Sequence, residues 1–231
     1  MRRFTTIVAA LLAAAAFAPA ANAQTTWFQD TFAEAAVGGW APADTGQAIT
    51  RLQGTAAQFS QTPGLGSIQG IAGKAPILKV AGEDQADEGT LAEWRYSSNA
   101  VGAPQTFGLN LRVLDAKNYT RLIITQAPTG KVTYRVQRQV NNVNTNLASG
   151  TFPVALQPGT WYWTRFEVVG EQFRARTWPD GGENEPTTWD MDATDPNPRL
   201  THGSVGVREQ SMAGNKNLAR LDVSSWQAYT P

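Results

Sequence analysis

The ten residues KVTYRVQRQV, Lys131 to Val140, constrain the chain more than any other segment. Val132, Tyr134, Val136 and Val140 fall on one side of an extended strand, and Thr133, Arg135, Gln137 and Gln139 fall on the other. Period-2 alternation of that length requires one buried and one wet face. The pattern recurs. QTFGLNLRVLD sets Phe107, Leu109, Leu111 and Val113 against Asn110 and Arg112. TWYWTRFEVVG sets Tyr162, Thr164, Phe166 and Val168 against Trp161, Trp163, Arg165 and Glu167, and GTLAEWRYS sets Trp94 and Tyr96 against Glu93 and Arg95. APTG, between YTRLIITQ and KVTYRVQRQV, and Gly170-Glu171, between TWYWTRFEVVG and EQFRARTWP, read as hairpin turns. Little reads as helix. Short strands separated by Gly, Pro, Asn and Asp clusters describe an all-β sandwich or barrel.

Residues 1–23 read as a cleaved signal peptide of bacterial style. Arg2 and Arg3 precede an apolar run from Ile7 to Ala18, and Ala21-Asn22-Ala23 supplies the small-residue cleavage site. Residues 24–231 contain no linker, repeat or low-complexity tract and are expected to form a single domain in the periplasm, at the cell surface or in the medium. There is no Cys, so core burial or a bound ion has to replace the disulfides open to an exported chain. No later apolar stretch could span a bilayer, and no membrane insertion is expected. The 19 basic and 19 acidic residues are well mixed, which argues against nucleic acid as a partner.

DTF…GGWAPADTGQAIT, then RFEVVGEQFRARTWPDGGENEPTTW, then GSVGVRE and LDVSSW occur in that order and cover essentially all of the chain after residue 23. Together they resemble the laminin-G-like, concanavalin A-like lectin-glucanase jelly roll of secreted bacterial proteins. The resemblance implies a two-sheet antiparallel jelly-roll sandwich that collects ligands on one sheet face and commonly carries a structural calcium. It spans lectins, binding modules, glycoside hydrolases, polysaccharide lyases and structural domains, so function has to be argued from the site. WFQDTF and ARLDVSSWQAY at the two ends are strand-like and expected to pair. The resemblance makes Asp30 with Asp222 a possible calcium site there.

The wet strand faces carry many arginines. If they line one sheet face, their guanidinium forks suit carboxylates or sugar hydroxyls, and an acidic polysaccharide or cell-surface glycan is the natural ligand. Arg112, Arg135 and Arg176 are the first candidates, with Arg95 and Glu93 beside them and Trp178 as a stacking platform. The competing account is a sheet laced by cross-strand ion pairs, with Trp178 and Trp189 packed against the hairpin between them. Asp180, Glu183, Glu185, Asp190, Asp192 and Asp195 form an acidic stretch, but it lacks the glycine and distal glutamate of an EF-hand loop.

No complete catalytic motif is present. Glu83 and Glu88 have the outer spacing of the laminarinase-type E-x-D-x-x-E, yet Gln85 stands where its Asp belongs. Glu93-Trp94-Arg95 echoes only the end of the alginate-lyase R-x-E-L-R, with Leu91 at the Arg position, and there is no Q-x-H. His202 is the only histidine. The expectation is a non-catalytic module that binds a glycan or a cell-surface or matrix component through an Arg-rich sheet face. The alternatives are a lyase or hydrolase using Glu93, Arg95 and Tyr134, and a structural subunit that recognises protein.

Overall fold

The computed structural model describes residues 24–181 and 185–231. The expected signal peptide and Glu183 of the acidic stretch lie outside them. In chain order the described strands are β1 (Thr25–Asp30), β2 (Ala36–Val37), β3 (Ile49–Gln53), β4 (Phe59–Thr62), β5 (Leu65–Gln69), β6 (Ile77–Val80), β7 (Glu88–Tyr96) and β8 (Gln105–Asp115). They continue as β9 (Asn118–Gln126), β10 (Val132–Val140), β11 (Val143–Thr151), β12 (Tyr162–Val169), β13 (Gln172–Pro179), β14 (Met191–Thr194), β15 (Ser204–Ser211) and β16 (Arg220–Thr230).

They form two antiparallel sheets. One has nine strands in the order β14-β13-β12-β7-β16-β5-β4-β2, with β1 also on β16, and the other has seven, β11-β10-β9-β8-β15-β6-β3. Both expected hairpins are present, Val132 opposite Gln126 and Val169 opposite Gln172. The chain ends pair as expected, Thr25 opposite Thr230 and Asp30 opposite Trp226. No helix among the described residues is long and apolar enough to cross a membrane.

The inward faces of both sheets share one core. Its centre is aromatic: the Trp94 ring of β7 stacks on Phe107 of β8 at 4.1 Å, joining the two layers. Burial of an indole costs its N–H a solvent bond, and Trp94 and Trp226 recover it locally. Trp94 Nε1 donates to Thr164 Oγ1 at 2.8 Å, and Trp226 Nε1 donates to Thr90 Oγ1 at 2.9 Å. These inward threonines therefore do core work that simple apolar alternation does not display.

The alternation fails in β8. Arg112 sits at φ 51°, and the pairing with β9 slips between Leu111 and Asp115. The extra residue reverses the side-chain order, as a bulge does. Val113 therefore leaves the face of Leu111 and joins Ile77 and Tyr119 in a second small apolar cluster.

Candidate functional site

The polar residues expected to share one face are divided between the outer surfaces of two sheets. Glu93, Arg95, Arg165, Glu167, Arg174 and Arg176 project from the nine-stranded sheet, through the cross-strand pairs Trp163–Glu93, Arg165–Arg176 and Glu167–Arg174. Asn110, Arg121, Arg135 and Gln137 project from the seven-stranded sheet, where Arg121 faces both Asn110 and Gln137 across its neighbours.

On the nine-stranded sheet Arg95, Arg165, Arg174, Arg176 and Arg220 are all ion-paired, sharing Glu185, Glu167 and Asp222 between them. Glu185 receives Arg165 Nη2 at 2.8 Å and Arg176 Nε at 2.7 Å, while Trp189 lies under Arg176, 4.2 Å from its guanidinium carbon. Arg176 also donates to the Pro186 carbonyl. Arg174 Nη2 reaches Glu167 Oε1 at 2.8 Å, and Asp222 takes Arg95 Nε at 3.2 Å and Arg220 Nε at 2.6 Å. Segment 185–189 is thereby strapped across the hairpin of β12 and β13. Trp178 is 6% exposed, so it offers no ring face to solvent. Glu93 accepts from Ser224, and burial followed by nearby Asp180 raises its carboxyl above the usual range. The result is a neutralised, ion-paired surface.

Arg112 is held apart from both surfaces by the bulge. Its guanidinium donates to the carbonyls of Ala86, Leu200 and Gly170 at 2.9, 3.0 and 2.6 Å, and its backbone N–H donates to the buried Glu88 carboxyl. These bonds spend its donors on holding three chain segments together, which corrects its assignment to a ligand face. Tyr134, the phenol of the enzyme alternative, packs edge-on against Phe152 at 5.7 Å. His202 is exposed and bonded to Asp84.

The structure also separates Asp30 from Asp222, although the strands bearing them pair. Asp30 opposes Trp226, four residues along β16 from Asp222, roughly 13 Å at strand rise. Asp222 is already neutralised by two arginines and bonded to Ser67, and Asp30 accepts from the Phe32 N–H. The pair does not fit calcium, which takes six to eight converging oxygens. Among the described residues no group of three or more His, Cys, Asp or Glu could hold a metal.

The seven-stranded sheet differs in kind. Two glycines level its outer surface. A Cβ on Gly108 would stand 2.6 Å from Arg208 Cγ, and one on Gly206 would stand 3.2 Å from Asn110 Nδ2. Arg208 and Asn110 therefore lie flat on the sheet, 3% and 0% exposed. Arg208 Nη2 donates to Gln210 Oε1 at 2.8 Å, but among the described residues its Nε and Nη1 find no partner, and neither atom of the Asn110 amide finds one. Arg121 is held by neutral groups alone: Gln137 Oε1 at 2.9 Å, Tyr119 Oη at 3.0 Å and Asn144 Oδ1 at 3.1 Å. Burial, then repulsion from Arg121, pulls the Arg208 guanidinium down to about 10, and burial likewise lowers Arg121, with Arg135 adding to it. Among the described residues none of these three arginines is in a salt bridge.

A cleft of about 380 Å³ opens over this surface, lined by Tyr119, Arg121, Gln139 and Arg208 among others, and among the described residues no Asp or Glu lines it. It shares Gln53 and Ala75 with a second hollow of about 320 Å³ that reaches Ile71 and Lys74. Of the candidates read from sequence, Arg135 belongs to this face, exposed, beside Arg121. Arg208 and Tyr119 were missed. The alternation of Val205 and Val207 in SVGVREQS points Arg208 outward and was the available signal.

No protein-family model matches the chain, and no curated protein matches it. Solved structures do match in fold. A carbohydrate-binding module of type CBM66 from Bacillus subtilis has a TM-score of 0.51 at 14% identity, over 76% of this chain and 91% of that one. The Ca2+-bound exoplasmic/lumenal domain of VIP36 gives 0.55 at 11%, over 90% of each. A beta-1,3-glucanase from Mycobacterium marinum gives 0.54 at 15%, over 88% and 98%. The chain has the concanavalin A-like jelly-roll fold, shared by carbohydrate-binding modules, lectins and glycoside hydrolases.

Proposed function

We propose that residues 24–231 are an exported, single-domain, non-catalytic glycan-binding module, released after cleavage of a signal peptide at residues 1–23, and that it binds on the outer face of its seven-stranded sheet. The observation that carries this reading is the cleft over that face, walled by the Tyr119 phenol, the Gln139 amide and the guanidinium groups of Arg121 and Arg208. The amide and the phenol both donate and accept, and the guanidinium forks donate in fixed directions, which is what recognition of a hydroxyl-rich ligand needs. Hydrolysis of a glycosidic bond ordinarily uses two carboxyl groups about 5–9.5 Å apart, and none of the described residues lining the cleft carries one. The fold's occurrence in carbohydrate-binding modules and lectins supports the same reading.

The test is affinity electrophoresis of the chain from Gln24 through gels containing neutral and acidic polysaccharides. Retardation with the polymer intact, abolished by Tyr119→Ala with Gln139→Ala and unchanged by Arg220→Gln on the opposite sheet, is the expected result. Clearing of the polymer around the band points to the enzyme. Absence of retardation in every gel moves the assignment to a protein-recognising subunit.

A further inference from the structure

We infer that Asn110 and Arg208 form the anchoring subsite for a single oxyanion of an acidic glycan, a sugar carboxylate or a sulfate ester, with Arg121 and Arg135 supplying the surrounding positive field. The inference rests on the glycan-binding reading and specifies its ligand.

Buried polar groups are almost always hydrogen-bonded, and a buried charge is almost always paired. Arg208 and Asn110 break both rules together on the outer side of the sheet, although both are buried there. Arg208 has two nitrogens without a partner, and Asn110 has an amide oxygen and nitrogen without one. They are neighbours through β15 and β8, where Arg208 faces Gly108 and Asn110 faces Gly206. A Cβ at Gly108 would strike Arg208, and one at Gly206 would strike the Leu78 carbonyl oxygen at 2.7 Å and crowd the Asn110 amide at 3.2 Å, so the glycines leave the two side chains room to lie flat. Arg121, directly opposite Asn110 on β9, adds a second buried cation whose partners are all neutral.

These donors are covered in the unliganded protein, so an oxyanion would receive the free Arg208 N–H groups and the Asn110 amide N–H as the side chains over them move aside. The Asn110 carbonyl would be left for a neighbouring sugar hydroxyl. A charge-assisted bond of this kind is roughly twice as strong as a neutral one. A neutral sugar satisfies the hydrogen bonds but leaves two like charges uncompensated. The chemistry therefore selects an anion. Arg135, exposed at the margin, extends the field toward solvent.

The experiment is calorimetric titration of the chain from Gln24 with polygalacturonate, dextran sulfate and uncharged dextran, at 20 and 300 mM NaCl. Arg208→Met and Asn110→Ala are titrated beside it, with Arg220→Gln as a control. Binding of one acidic polymer that weakens steeply with salt, and falls about 30-fold or more in Arg208→Met and about 10-fold in Asn110→Ala, is the expected outcome. Preference for polygalacturonate assigns the subsite to carboxylate, and preference for dextran sulfate assigns it to sulfate. Salt-insensitive binding of dextran equal to that of the acidic polymers overturns the anion subsite and leaves glycan binding standing. Acidic binding that survives both substitutions overturns it as well. Salt-insensitive binding by the unmodified chain overturns the subsite even if a variant fails to fold.

Discussion

Replacing Arg208 with Met should stabilise the unliganded protein, because the burial cost of the guanidinium outweighs the Gln210 bond and the nearby Tyr119, Glu209 and Tyr96 that partly offset it. Burial and the charge on Arg121 pull it down to about 10 from the ordinary 12.5. At roughly 1.4 kcal/mol per pH unit, this amounts to about 3 kcal/mol against the charged form at neutral pH. Met fills much of the same apolar length, and Gln210, which is only part-buried, can exchange its lost bond for water. Allowing for relaxation, a net gain of about 1–3 kcal/mol should raise Tm by roughly 3–8 °C in a domain of this size. The assay is calorimetric melting of both proteins with and without an acidic polysaccharide that the parent binds. The ligand should raise Tm in the parent and leave the variant unmoved. A drop of several degrees in unliganded Arg208→Met would refute the reasoning, because it would mean that Arg208 holds the sheet together.

Burial also holds the Glu88 and Glu209 carboxyls at about 8, against an ordinary 4.5. The folded state then keeps protons that the unfolded chain has lost, so unfolding free energy should fall as pH rises from about 4.5 to about 8 and level off above it. Glu209→Gln should flatten that slope in urea titrations, and a profile that rises across the window contradicts the assignment. Glu185→Gln leaves Arg165 and Arg176 facing each other without their carboxylate. Because Glu185 is 28% exposed, the loss should be about 1–2 kcal/mol, read by chemical unfolding. Gly108→Ala places a Cβ 2.6 Å from Arg208 Cγ and 3.0 Å from the Leu122 carbonyl oxygen. It should cost about 1–3 kcal/mol and weaken acidic-glycan binding together, whereas an unchanged affinity would show that Arg208 need not lie flat.

Local structure was legible wherever period-2 alternation ran unbroken. Strands β7, β10 and β12 carry the faces that their sequences announce, and both hairpin turns stand where Gly and Pro punctuate. Arg112 was misplaced because a bulge at positive φ has no mark in RVLD: an arginine there reads like any other outward residue. The deeper obstacle was strand order. Arg121 and Arg176 look alike in sequence, and only the sheet topology sends one to the seven-stranded face and the other to the nine-stranded face. Asp30 and Asp222 illustrate the same limit: their strands pair, but register, which the sequence leaves open, holds the two carboxylates apart.

The two outer faces together show what to look for in such a sandwich. Both are rich in arginine, so counting cations does not separate them. On the nine-stranded sheet Glu185, Glu167 and Asp222 neutralise their neighbours, and such a face has little left to offer an anion. On the seven-stranded sheet the arginines meet amides and a phenol, which fix their geometry and leave their charge in place. This division predicts different kinetics for two substitutions on the same face. Arg135, exposed and outside the cleft that Arg208 lines, acts on that cleft through its long-range field, so Arg135→Ala should slow association and reduce its salt dependence, with little effect on Tm. Arg208, desolvated within the cleft, should set the dissociation rate instead. Stopped-flow binding of a fluorescent acidic oligosaccharide separates the two. If Arg135→Ala speeds dissociation as much as Arg208→Met does, the ligand contacts both alike and the distinction between field and anchor is wrong.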